Sequence, residues 1–132
     1  MSYKVYTVEY LGKPNHIAIY VEKEPVSESN EKGSGTLYHV VSSILVGMKY
    51  ENKPSYNFKH SVSFIVDSNV LIGQVKDSDM PLFQAVCEAV PPPGAQLTKR
   101  GGRIDSSKPL RRCGEWVEDV VEKLLTDGVV NK

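Results

Sequence analysis

Along the first half of the chain apolar and polar residues alternate one by one, and further on the apolar ones recur every three to four positions. Alternation places every second side chain on one face of a strand, whereas the longer spacing gives one stripe of a helix. The pattern predicts a first strand over Lys4–Leu11, rich in Val and Tyr, closed by a turn at Gly12-Lys13-Pro14-Asn15. A second strand, His16-Ile17-Ala18-Ile19-Tyr20-Val21-Glu22, puts Ile17, Ile19 and Val21 on one face and His16, Ala18 and Tyr20 on the other. Between Glu24 and Gly35, a mixture of Pro, Ser, Asn, Gly and charges marks a loop. Thr36–Val41 is a third strand, with Leu37, His39 and Val41 sharing a face. Two more short strands are expected at Ser61–Val66 and Val70–Val75, joined by a turn at Asp67-Ser68-Asn69.

Helical spacing begins after Asp79. Met80-Pro81 suits a first turn, where proline is tolerated, and Leu82, Phe83, Val86, Cys87 and Val90 carry the stripe until Pro91-Pro92-Pro93-Gly94 ends it. Trp116, Val117, Val120, Val121, Leu124 and Leu125 define a stronger amphipathic helix near the C-terminus. Glu115, Glu118 and Asp119 lie toward its positive end, and Gly128 supplies the stop. These elements predict an α+β fold: an antiparallel sheet of about five strands with the C-terminal helix packed on it and a further helix between.

With 132 residues there is room for one core, so a single domain over 1–132 is expected. Sixteen basic residues balance sixteen acidic ones, which argues against nucleic acid held by bulk charge. No apolar run approaches the length of a membrane-spanning helix, and Met1-Ser2-Tyr3-Lys4 opens on polar and aromatic residues, unlike a signal peptide. No integral membrane association and a cytoplasmic location are therefore the expectation. The one marked asymmetry is local. From Thr98 to Arg112 there are six basic residues (Lys99, Arg100, Arg103, Lys108, Arg111, Arg112) against the single acid Asp105. Such a stretch is most often a solvated loop.

Two cysteines occur, Cys87 and Cys113, without a C-x-x-C pair, so neither a disulfide scaffold nor a zinc site is indicated. No metal or organic cofactor is implied. Cys87 sits within an apolar helical run and reads as core. Cys113 opens the C-terminal helix directly after Arg111-Arg112. A thiol becomes a nucleophile only when ionised, and a helix N-terminus or an adjacent cation favours that form. Its spacing from Trp116 and Val117 also places it on the inward face, where a cysteine is more often packing. His16 and His39 lie on neighbouring strands and could supply a base, whereas His60 lies at the edge of a polar stretch. Tyr20 and Trp116 are candidates for lining a substrate pocket, although aromatic residues at strand and helix spacing are more often core; Arg111 and Arg112 are candidates for binding an anionic group of a substrate or for favouring the thiolate.

The segments His16-Ile17-Ala18-Ile19-Tyr20-Val21-Glu22, Gly35-Thr36-Leu37-Tyr38-His39-Val40 and Cys113-Gly114-Glu115-Trp116-Val117 together resemble the lecithin:retinol acyltransferase-like branch of the papain-like superfamily. That branch is a circularly permuted relative of the NlpC-type cell-wall endopeptidases. The chain is also similar to small fungal proteins carrying the same GTLYHVV and C-x-x-W-V segments. The resemblance implies a permuted papain-like fold and a Cys-His-His triad. Cys113 would be the nucleophile, His16 its general base, and His39 the group that orients His16. The implied activity is hydrolysis or acyl transfer on an amide, ester or thioester of a small-molecule or peptide substrate. Where acyltransferase members usually have Asn before the cysteine and a polar or histidine residue two after it, this chain has Arg112 and Glu115. The alternatives are a non-catalytic binding module on the same scaffold and a redox sensor using Cys113.

Overall fold

The computed structural model describes residues 2–11, 16–24, 34–43, 45, 47–56, 65, 68–97, 102, 104, 107 and 111–132. Strands β1 (Ser2–Tyr10), β2 (His16–Glu24), β3 (Ser34–Ser43), β4 (Gly47–Tyr56) and β5 (Val70–Lys76) come first. A 3-10 turn at Asp77–Asp79 leads into α1 (Met80–Ala89), and α2 (Cys113–Thr126) and the short β6 (Val130–Asn131) complete the chain. The strands form one sheet in the order β4-β3-β2-β1-β5-β6. Every neighbouring pair in it is antiparallel. The fold is therefore α+β, and among the described residues the sheet has six strands where about five were expected.

Two of the six were not foreseen. β4 is an edge strand made of Gly-Met-Lys-Tyr-Glu-Asn-Lys-Pro-Ser-Tyr. Proline is compatible with an edge, where one row of backbone N–H groups has no partner strand. β6 is only two residues long and pairs with Gln74 and Val75 near the C-terminal end of β5. The strand expected at Ser61–Val66 lies outside the described residues except for Ile65, as does His60.

Alternation sorts the side chains as the sequence implies. Ile19 and Val21 of β2 join Val5, Tyr38, Val40 and Val75 in the larger core, with Ile17 packed against it. Both helices close this face through Phe83, Val86 and Cys87 from α1 and Trp116, Val117, Val120 and Leu124 from α2. Ala18 and Tyr20 point the other way, into a smaller cluster with Val8, Tyr10 and Leu37. The Trp116 indole N–H donates to the carbonyl of Val90 at 3.0 Å, which ties α2 to the C-terminal end of α1. Gly128, at φ +72°, lets the chain leave α2 and turn back toward β6.

Among the described residues no helix is long and apolar enough to cross a membrane.

Candidate functional site

The site is assembled by strand register. His16 is the first residue of β2 and pairs with Tyr10 of β1, whose ring centroid lies 6.0 Å from the imidazole. Alternation from Leu37, on the smaller cluster's face, places His39 on that same face one strand away. The two rings meet edge to face with Nε2 of His16 2.9 Å from Nδ1 of His39, so one nitrogen donates to the other. On the far side of β3, Glu51 of β4 is the cross-strand partner of His39. Its Oε1 stands 3.8 Å from His39 Nε2.

Cys113 approaches from the helix side. It is the first residue of α2, buried within the larger core. Arg112 occupies the N-cap in extended conformation, and its N–H donates to the carboxylate of Glu115 at 2.9 Å. This is the reciprocal half of a capping box, supplied by the glutamate because arginine has no acceptor. The capped end lies close to β2: a Cβ on Gly114 would be 3.4 Å from the Ile17 side chain. The Cys113 sulfur accepts a hydrogen bond at 3.4 Å from the N–H of Ile17, within the peptide that joins His16 to Ile17. Sulfur and histidine pair thus converge on the N-terminal end of β2 from opposite faces of the sheet.

Electrostatics separate the titrating groups. Burial lowers the His16 imidazole below its ordinary value, and the positive charge of Lys53 acts in the same direction. Burial pushes His39 down to about 4, with the neighbouring His16 and Lys53 adding to the effect and Glu51 opposing it. Both rings are therefore neutral at physiological pH, the form in which an imidazole accepts a proton. The other thiol, Cys87, is fully buried and pushed up to about 12 by desolvation and by the adjacent Glu88. It is held as a neutral core group.

A family model spans residues 5–131. The chain belongs to the DUF6540 family, a family of unknown function. Comparison with curated proteins and with solved structures gave no match.

Of the residues singled out in this DUF6540 chain, His16, His39 and Cys113 come together at one end of β2. The four candidates for a substrate lining are placed differently. Tyr20 is buried in the smaller cluster and Trp116 in the larger one, where large aromatic surfaces gain most by leaving water. Both are core residues. Arg111 is exposed and paired with Asp119 in the second turn of α2. Arg112 serves the helix cap through its backbone. Two residues missing from the sequence reading stand beside the histidine pair, Glu51 and Lys53, both on β4. A signal for them exists in Lys49-Tyr50-Glu51-Asn52-Lys53, where a charged residue occupies every second position. Among the described residues, no group of three or more His, Cys, Asp or Glu side chains is placed to hold a metal ion.

Proposed function

We propose that the protein is a cysteine-dependent hydrolase or acyltransferase acting on an amide, ester or thioester carbonyl of a small-molecule or peptide substrate. The arrangement is permuted papain-like, with both histidines ahead of the nucleophile in the chain. One observation carries this reading: three residues distant in sequence converge. His16 and His39 are in contact at 2.9 Å, and the Cys113 sulfur lies 3.4 Å from the amide that follows His16.

In this mechanism Nδ1 of His16, the ring nitrogen not engaged by His39, takes the proton of the Cys113 thiol through a bridging water at the N-terminal end of β2, because the two groups stand on opposite faces of the sheet. The sulfur forms a bond to the substrate carbonyl carbon, and the carbonyl oxygen takes up the displaced electron pair as an oxyanion. The N–H groups of the first turn of α2 favour negative charge at that position. Collapse of the intermediate breaks the bond to the amine, alcohol or thiol, which departs with the proton held by His16. Water then attacks the acyl carbon while passing a proton to His16, and the carbon–sulfur bond breaks to release the acid. An amine or alcohol in place of water gives acyl transfer. His39 holds the base in orientation throughout, the third role of a triad.

An activated ester tests the reading without knowledge of the natural substrate. After incubation with p-nitrophenyl acetate, peptide mass spectrometry is expected to find the acetyl group on Cys113 and none on Cys87. Replacing His16 by Ala is expected to slow that acylation by about 10²–10⁴-fold, the usual contribution of a positioned general base. Acetylation of Cys113 that is slow and indifferent to His16→Ala would point to the binding module instead.

A further inference from the structure

His39 has two ring nitrogens and only one is accounted for by His16. The ring is 4% exposed, and among the described residues its Nε2 is buried with no hydrogen-bond partner. The anionic group nearest to that nitrogen is the Glu51 carboxylate, with Oε1 at 3.8 Å, just beyond hydrogen-bond length. Glu51 is the residue directly opposite His39 in the β3–β4 ladder, and its side chain is 44% exposed. Register therefore fixes the pair of backbones, while exposure leaves the carboxylate room to rotate toward the ring. Among the described residues, the charged and titratable groups facing the histidines are Glu51 and Lys53 from β4, Tyr10 from β1 and the two imidazoles themselves.

A neutral pair of imidazoles can satisfy the 2.9 Å contact in two ways. In the first, His16 Nε2–H donates to the His39 Nδ1 lone pair. His39 then carries its proton on Nε2, and His16 keeps a lone pair on Nδ1. In the second, His39 Nδ1–H donates to His16 Nε2. His39 Nε2 is then a bare lone pair, and His16 Nδ1 carries a proton. Only the first leaves His16 able to accept a proton from a thiol. A carboxylate beside His39 Nε2 attracts an N–H there and repels a lone pair, so the two arrangements differ in how they meet Glu51.

We propose that Glu51 is a positioning residue for the histidine pair: its carboxylate accepts from His39 Nε2–H and thereby selects the base-competent tautomer of His16. The consequence for catalysis rests on the reading of Cys113 as nucleophile; the tautomer itself does not. When the thiol proton reaches His16 Nδ1, the S–H bond breaks and an N–H bond forms, leaving a thiolate and an imidazolium. The chain of donors then ends on the Glu51 carboxylate, which offsets the new positive charge.

Long-range proton–nitrogen correlation spectra of the full, nitrogen-15-labelled chain near neutral pH test this directly. The expected wild-type spectrum has bare Nδ1 and protonated Nε2 on both His16 and His39. Glu51→Leu is expected to move His16 toward the Nδ1-protonated form and to slow iodoacetamide alkylation of Cys113 by about tenfold, as loss of an outer orienting carboxylate typically does. Glu51→Gln keeps an acceptor oxygen and is expected to retain most of the wild-type tautomer. A wild-type spectrum with the proton on His16 Nδ1 overturns the proposal without any variant, and so does a tautomer unchanged in Glu51→Leu. If the tautomers behave as expected but Cys113 is alkylated no faster than Cys87, Glu51 keeps its positioning role and the nucleophile reading fails alone.

Discussion

A buried imidazole beside a second imidazole takes up a proton only at a cost, and that cost makes the fold sensitive to acid. In the unfolded chain His39 titrates near its ordinary value of 6.5, whereas in the fold burial and its neighbour His16 hold it at about 4. Between those values the unfolded state binds more protons than the native one, so stability is fully present above the unfolded value and falls as pH drops toward the folded one. His16 is shifted in the same direction. We expect the unfolding free energy from urea titrations to decline from pH 7 to pH 4.5, by an amount on the order of a few kcal/mol for His39. In His39→Gln the decline should be shallower, with the His16 contribution and the background of carboxylate titration left. Equal slopes for the two proteins would mean that His39 is not held neutral by the fold. At this scale the sequence was informative about His16, His39 and Cys113, because strand alternation and the start of a helical stripe are local patterns. Glu51 was not legible, since nothing near it in sequence states that it stands opposite His39; register is a long-range property. Tyr20 and Trp116 were placed on the correct faces, but alternation alone does not reveal that both faces of β2 are covered.

Elements meet here through unusually close backbones, and glycine marks the places. At Gly35 on β3, a Cβ would lie 2.2 Å from the carbonyl oxygen of Val21 and 2.6 Å from the Tyr20 ring. Both belong to β2, a central strand, and Tyr20 is packed into the smaller cluster, so neither can withdraw without disturbing the core. At Gly73 on β5 the obstacle is the carbonyl oxygen of Asn131, at 2.5 Å. That atom belongs to the two-residue edge strand β6, which can yield by fraying. Gly35→Ala is therefore expected to cost about 3 kcal/mol, the upper part of the overpacking range, and Gly73→Ala about 1 kcal/mol. Chemical denaturation of both variants measures this, and a Gly73→Ala cost equal to or above that of Gly35→Ala would contradict the ranking. The helices and four of the strands were readable because each carries a regular stripe between turn residues. β4 escaped because its inward residues, Met48, Tyr50 and Asn52, are only moderately apolar and its outward ones are charged. An edge strand needs little more than that, since only one of its sides is paired.

At the scale of the whole molecule, the two cysteines sample different openings of the same core. Cys87 on α1 is completely enclosed, and burial holds its thiol at about 12, so alkylation requires that α1 leave the sheet. Cys113 shares that core but is the first residue of α2, 6% exposed, at the capped end of the helix. Helix ends open locally with far less free energy than a central element loses on global unfolding. In a series of sub-denaturing urea concentrations, iodoacetamide labelling of Cys113 is therefore expected to change little. Labelling of Cys87 should be negligible in buffer and rise with the slope of global unfolding, because its exposure uncovers the full hydrophobic surface of the domain. If both cysteines rise together with that slope, the end of α2 is part of the cooperative core and Cys113 meets reagents only in the unfolded chain. A nucleophile has to be reachable while the rest of the protein stays folded, so the contrast between the two labelling slopes is a property the proposed chemistry requires of the fold.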